Sequence, residues 1–332
     1  MKGRIKEFDL IKFIAIYLVV YGHIQQHLID IDRLDNPVYT FIYSFHMPLF
    51  MIVSGYFSVS SFRLSFKEIL TKKTKSLLLP VFTFSLAITF LYYILINGRQ
   101  LDIILFLQLF AEQMNTWLWF LKSLFICYIV SYLLFAKQWY RYVGIIVAIV
   151  LLFVQWLNLS IMLPSFVFGI LLKKYDILNR IRSEAWLVRF AGLFALLYLF
   201  YDNRLKQIPE LESLEALSCY IMNQTYRLTV GISGAMTIIL FVFRHLDYSS
   251  FRLGRGVNLC CNAGRYTLEI YVIQALILEM LMPQFIRFSA DDKVICDILI
   301  FPILAFVIIV ICIGIATLIR KSRIINLLAF GK

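Results

Sequence analysis

The sequence predicts an all-α, polytopic integral membrane bundle of about ten transmembrane helices, with both termini in the cytoplasm. Three observations carry that expectation. Of the 332 residues, 61% are hydrophobic, and the mean hydropathy is +0.82; a soluble domain is roughly half apolar. The apolar residues gather into stretches of the length a bilayer needs, about 20 helical residues. Lys and Arg are unequally shared between the connecting segments. Counted alternately from the N terminus, one set holds 21 and the other holds six: Arg33, Arg99, Arg204, Lys206, Arg287 and Lys293. The positive-inside rule places the rich set in the cytoplasm.

The net charge of +12 is therefore a topology signal, and no nucleic-acid partner is expected. It also gives a cationic cytoplasmic face suited to an anionic lipid or a phosphorylated cofactor. Cysteines 127, 219, 260, 261, 296 and 312 are scattered without CxxC spacing, so neither a disulfide framework nor a zinc site is indicated and no metal is expected. The first span is too polar for a signal-peptide core. A single membrane domain over 1–332, without a soluble accessory domain, is expected in a plasma (inner) membrane.

The spans fall at about 8–28, 40–61, 76–97, 117–136, 143–157, 158–172, 186–202, 227–244, 261–283 and 295–319. The first is long enough to cross yet carries Asp9, Lys12, His23 and His27. The second holds His46, Pro48 and the Ser54-Gly55 pair, small residues that permit close helix contact. A basic stretch, 62–75, precedes the third. Segment 101–111 is apolar but short, as an interfacial or re-entrant piece would be. Only Asn158 and Ser160 divide the fifth span from the sixth. Segment 203–226, with Pro209, Glu210, Glu212 and Glu215, reads as a solvated outer loop. Arg265 and Glu269 stand at i,i+4 in the ninth span and are expected to pair. The tryptophans 117, 119, 139, 156 and 186 lie near span ends, as interfacial belts do.

Ionisable groups inside a span are costly and mark functional sites. Lys12 and His23 are eleven residues apart, which returns an α-helix to nearly the same azimuth with about 16 Å of rise. They share one face: Lys12 near the cytoplasmic end, His23 towards the other. A structural reading has Lys12 snorkelling, bridged to Asp9, and His23 hydrogen-bonded in the core. His46 enters from the outside to a depth similar to that of His23, so two imidazoles could share a site. Lys72 and Lys75 would face one way on a helix and could hold a phosphate as point charges, or be ordinary positive-inside residues. Lys122, near the outer end of the fourth span, could polarise a carbonyl or snorkel.

Taken together, these pieces have a recognisable order. Asp9-x-x-Lys12 is followed after ten residues by His23, then by Phe45-His46-Met47-Pro48-Leu49-Phe50 with Ser54-Gly55, then by a basic pair before Leu77-Leu78-Leu79-Pro80. Trp119-Phe120-Leu121, Gly169 after Phe166-Val167-Phe168, and Gly264-Arg265-Tyr266 running to Ile270-Tyr271 follow in turn. The sequence resembles the membrane acyltransferase 3 family over nearly its whole length. The resemblance implies a ten-helix O-acyltransferase. It would take an acyl group, usually acetyl, from coenzyme A on the cytoplasmic side and pass it to a carbohydrate: a surface polysaccharide, O-antigen, capsule or exopolysaccharide precursor. His23 becomes the candidate base or transient acyl carrier, Lys12 a donor-binding or orienting group, His46 a second catalytic candidate, and Lys72 and Lys75 the nucleotide contacts. Two departures stand out. Relatives often carry R-x-x-R where this chain has Lys72-x-x-Lys75, and a histidine after the Ile-Tyr pair where this chain has Gln274. A transporter or flippase of a lipid-linked sugar is the rival reading, against which no internal repeat is visible.

Overall fold

The structure is a computed structural model and describes residues 5–32, 35–97, 103–136, 141–154, 156–206, 213–245 and 254–332. Among these residues it is helical throughout. In order the elements are α1 Lys6–His27, α2 Pro37–Ser58, α3 Phe66–Lys73, α4 Leu79–Asn97, α5 Ile103–Thr116, α6 Trp119–Phe135, α7 Arg141–Phe153, α8 Leu159–Lys174, α9 Ile177–Arg180, α10 Glu184–Tyr198, α11 Leu214–His245, α12 Arg255–Ala263, α13 Thr267–Ala275, α14 Lys293–Ile295, α15 Phe301–Ile319 and α16 Arg323–Phe330. Arg33, Arg99, Trp139, Pro209, Glu210 and Glu212 lie outside the described residues.

Six helical stretches have the length and apolarity to cross a membrane: Pro37–Arg63, Phe66–Leu91, Trp156–Lys174, Leu214–His245, Gly256–Gln284 and Lys293–Ile319. A seventh arises if α5 and α6, bent by 60°, form one broken span. The expected segments at 8–28, 143–157 and 186–202 are also helices, but they fall short for physical reasons. α1 carries Lys6, Glu7, Asp9 and Lys12, while α7 and α10 have only 13 and 15 residues.

α2 is the central helix, packed against α1, α8 and α11. Its start is well specified. Pro37 takes the first helical position, and the Asn36 side chain accepts hydrogen bonds from Val38 N and Tyr39 N, both at 3.1 Å. Asn36 also donates to Gln25 Oε1 at 2.8 Å, and Gln25 donates to Asp297 Oδ1 at 2.5 Å. Lys293 closes this buried network as the ion-pair partner of Asp297. It ties α1, α2 and the stretch before α15 together at one end of the bundle. At the other end lie the start of α1, the basic helix α3 and the amphipathic α16; this is called the basic end below.

α2 and α8 touch backbone to backbone. A Cβ on Gly55 would lie 2.0 Å from the Phe166 carbonyl oxygen, and one on Gly169 would lie 2.0 Å from that of Ile52. The expected role of Gly55 in close packing has this geometry, with Gly169 as its reciprocal partner.

Three expectations are corrected. Residues 214–226 are not loop: α11 begins at Leu214. Its first turns bury Tyr220, Gln224 and Arg227, a stripe at helical spacing but polar, so it does not read as a span. Arg265 and Glu269 do not pair. A 3-10 turn at Gly264–Tyr266 leaves Arg265 exposed, and buried Glu269 instead binds Arg320 and Lys332, the latter at 2.7 Å. Trp117 is buried within the protein at the α5–α6 bend and so does not face lipid as a belt residue would. The break near Asn158 does occur: Leu157 and Asn158 both take left-handed backbone angles, φ 61° and 52°.

Candidate active site

α1, α2, the α5–α6 bend, α8, α11, α13 and the segment following it enclose a cavity of about 510 Å³ towards the end opposite the basic one. It is called the large cavity below because it is larger than the two cavities nearer the basic end; a more open cleft of about 620 Å³ adjoins it at Gln26 and Glu279. His23 and His46 both line the large cavity. His23 reaches it from α1 and is 16% exposed. Its Nδ1 lies 3.4 Å from Glu279 Oε1, a charge-pair distance without hydrogen-bond alignment. Gln274, fully buried, lies against the same imidazole and donates its own amide to the Tyr271 carbonyl at 3.1 Å. The His27 ring stands 5.9 Å away, nearly perpendicular.

Glu279 was not a candidate from spacing. Five residues separate it from Gln274, which on an α-helix turns it about 140° away. The backbone is π-helical over Leu276–Leu281, and the i→i+5 pattern brings residues five apart nearly onto one face. The signal that could have found it is simpler: a carboxylate embedded in an apolar run.

His46 is buried, with Nδ1 2.7 Å from the Ile42 carbonyl. A carbonyl only accepts, so Nδ1 carries the proton and Nε2 the lone pair. The Tyr43 ring packs edge-on at 4.5 Å.

Lys12 lies elsewhere. It lines a 170 Å³ cavity at the basic end, with its ammonium 4.7 Å from the centre of the Phe57 ring. An apolar cavity of 290 Å³ lies between the two. It shares Val19, Met47 and Tyr271 with the large cavity, and Phe50, Ser54 and Thr267 with that of Lys12. The Trp119-Phe120-Leu121 run spans the junction: Trp119 faces the large cavity, while Phe120 and Leu121 line the apolar one. Lys72 and Lys75 are exposed at the basic end. Lys73, which spacing did not single out, turns inward over Tyr128, 3.4 Å from its ring centre. Tyr128 in turn lines the Lys12 cavity.

Lys122 is turned to the backbone of the preceding helix. Its ammonium donates to the Met114 and Asn115 carbonyls at 2.7 and 2.6 Å, satisfying the open C-terminal end of α5 where the helix dipole favours a cation. This fixes the bend that supplies Thr116, Leu118 and Trp119 to the cavity wall. Lys122→Met strands those carbonyls. A loss of about 2 kcal/mol is expected, to be read as a lower melting temperature of the detergent-solubilised protein.

His23, His27 and Glu279 each place one ligand atom within 4.8 Å of the others. That set could accept a transition-metal ion. It can equally do acid–base work without one, because a carboxylate beside an imidazole Nδ1 favours the tautomer whose Nε2 is free to take a proton.

A family profile described as an acyltransferase domain matches residues 5–319. Two similar proteins are both called nodulation protein NolL. That of Mesorhizobium japonicum is 38% identical over 38% of this chain and 35% of its own length. That of Sinorhizobium fredii is 42% identical over 22% of this chain and 21% of its own length. The chain thus spans about a third or less of these relatives in alignment. No solved structure matches it. The profile covers nearly the whole chain, the chain's own helices have the apolarity of a multi-pass membrane protein, and the chain belongs to the acyltransferase 3 family of membrane acyltransferases.

Proposed function

We propose that the protein moves an acyl group, acetyl by family resemblance, from acyl-coenzyme A held at the basic end to a carbohydrate hydroxyl in the large cavity. In this reading the basic end is cytoplasmic, ten helices cross a plasma membrane, and the acceptor is a cell-surface or exported glycan or its precursor. The observation that carries it is the row of three cavities. Lys12 stands at one end, the His23–Glu279 pair at the other, and an apolar cavity that shares wall residues with both lies between.

Lys12 and Lys73, with Lys72 and Lys75 at the surface, supply the positive charge that coenzyme A phosphates need. His23 takes the proton from the acceptor hydroxyl as its oxygen attacks the thioester carbonyl. Glu279 stabilises the imidazolium that forms. The carbon–sulfur bond breaks, the imidazolium returns its proton to the leaving thiolate, and the products are the O-acyl sugar and free coenzyme A. An acyl-histidine intermediate is the alternative path. His46, which lines the same cavity, is a second contact for the acceptor hydroxyl. Family membership favours this over the transporter reading.

Transfer of radiolabel from acetyl-coenzyme A to a membrane glycan fraction by the purified protein tests it. Label incorporated by wild type and absent with His23→Ala supports it; translocation of an unmodified glycan in place of labelling would overturn it. Metal is a separate question with its own expected result. Dialysis against a chelator leaves transfer intact. Added Zn²⁺ inhibits it by occupying His23 and Glu279, and His27→Gln weakens that inhibition. Loss of activity on chelation alone would assign the metal a working role.

A further inference from the structure

The same cavity holds a group that acyl transfer does not use. Arg227, on α11, is 9% exposed and lines the cavity. Its guanidinium donates to Gln224 Oε1 at 3.1 Å, and Gln224 is itself held by Ser160 at 3.2 Å. Its other electrostatic neighbours are Tyr201 and Tyr220. None of these is an anion, and Arg227 Nε has no hydrogen-bond partner among the described residues. Arg204, by contrast, stands at the surface and has two carboxylates within reach, Asp35 at 3.1 Å and Asp202 at 3.9 Å. The exposed arginine, which needs little compensation, is paired. The buried one, which needs most, has no carboxylate partner among the described residues.

An uncompensated buried cation is costly and persists where a ligand completes it. The level of Arg227 fits a ligand that also reaches His23. A Cβ at Gly22 would lie 2.7 Å from the Tyr43 ring, and one at Gly231 would lie 2.6 Å from the Pro48 ring. The α1 turn carrying His23 and the α11 turn beside Arg227 therefore flank the same two turns of α2. The Lys12 cavity, which serves the donor phosphates, is at the other end of the row.

We infer that Arg227 binds an anionic group of the acceptor, a carboxylate or phosphate whose paired oxygens fit the guanidinium fork, while His23 faces the hydroxyl to be acylated. This rests on the reading that the large cavity takes the acceptor. The anion could be a uronic-acid carboxylate on the glycan or the phosphate of a polyprenyl carrier, and Arg227 recognises the chemistry common to both.

Binding to the full-length protein in nanodiscs tests this without turnover. Two matched pairs of probes are used: methyl glucuronide against methyl glucoside, and polyprenyl phosphate against the parent polyprenol. Wild type is expected to prefer the anionic member of at least one pair by tenfold or more. The pair that shows the preference identifies the source of the anion. Arg227→Met should abolish the preference, and Arg227→Lys should retain part of it. Equal affinities within both pairs for wild type overturn the proposal, whether or not the variants fold. So does a preference that survives Arg227→Met. Coenzyme A binding and label transfer are measured in parallel: their absence alongside an intact, Arg227-dependent preference would sink the acyltransferase reading and leave the anion site standing.

Discussion

His23→Ala is expected to lower acyl transfer by about 10³-fold while leaving the melting temperature and the affinity for coenzyme A near those of wild type. The imidazole lies in the large cavity, and the donor nucleotide is assigned to Lys12 and the basic end, beyond the intervening apolar cavity. Removing the ring removes the proton acceptor and spares the donor site. Glu279→Gln should cost about 10²-fold, because the amide keeps the shape but loses the charge that steadies the imidazolium. His46→Gln should act mainly on the acceptor KM, since the Nδ1 bond to the Ile42 carbonyl fixes that ring in the wall of the cavity. Wild-type rates in Glu279→Gln would remove the pair from the chemistry and leave the 3.4 Å approach as packing.

The second large effect is on folding. Gly55→Ala would put a methyl carbon 2.0 Å from the Phe166 carbonyl oxygen, and Gly169→Ala would do the same against Ile52. The obstacle is backbone, so no rotamer change relieves it, and α2 and α8 would have to separate. Overpacking of this kind costs about 3 kcal/mol, the upper end of its range, and α2 also carries His46 and about a third of the residues that wall the cavity. Both variants are expected to give little folded protein. Gly192→Ala is the control: nothing lies within 4 Å of its Cβ position, and an alanine in the middle of α10 should be neutral or stabilise by about 0.5–1 kcal/mol. Equal melting temperatures for wild type and Gly55→Ala would refute the close helix contact.

The parts of this molecule legible in the sequence are those set by α-helical periodicity and by cost. Apolar runs mark the helices, and His23, an ionisable ring within one of them, marks the site. The clustering of His23 with His46 followed from matching depth. Glu279 and Lys73 were hidden because each adjoins or lies in a π-helical turn, Thr74–Leu78 and Leu276–Leu281, where spacing by 100° fails. Arg227 was passed over because it stood at the edge of the expected 227–244 span, just after a polar stretch read as loop, where a cation is ordinary. Lys122 was visible as an intramembrane charge, but its purpose depends on carbonyls that the chain exposes only by bending at Thr116–Leu118, where Leu118 has φ 47°.

The most direct measurement is sided transfer in sealed vesicles with the basic end outward. Labelled acetyl-coenzyme A is supplied outside, and a glycan acceptor is enclosed in the lumen. The row of cavities predicts label on the enclosed acceptor, dependent on His23, with free coenzyme A released outside. Labelling only when donor and acceptor share one side would contradict transfer along that row and place the chemistry at a single face of the membrane.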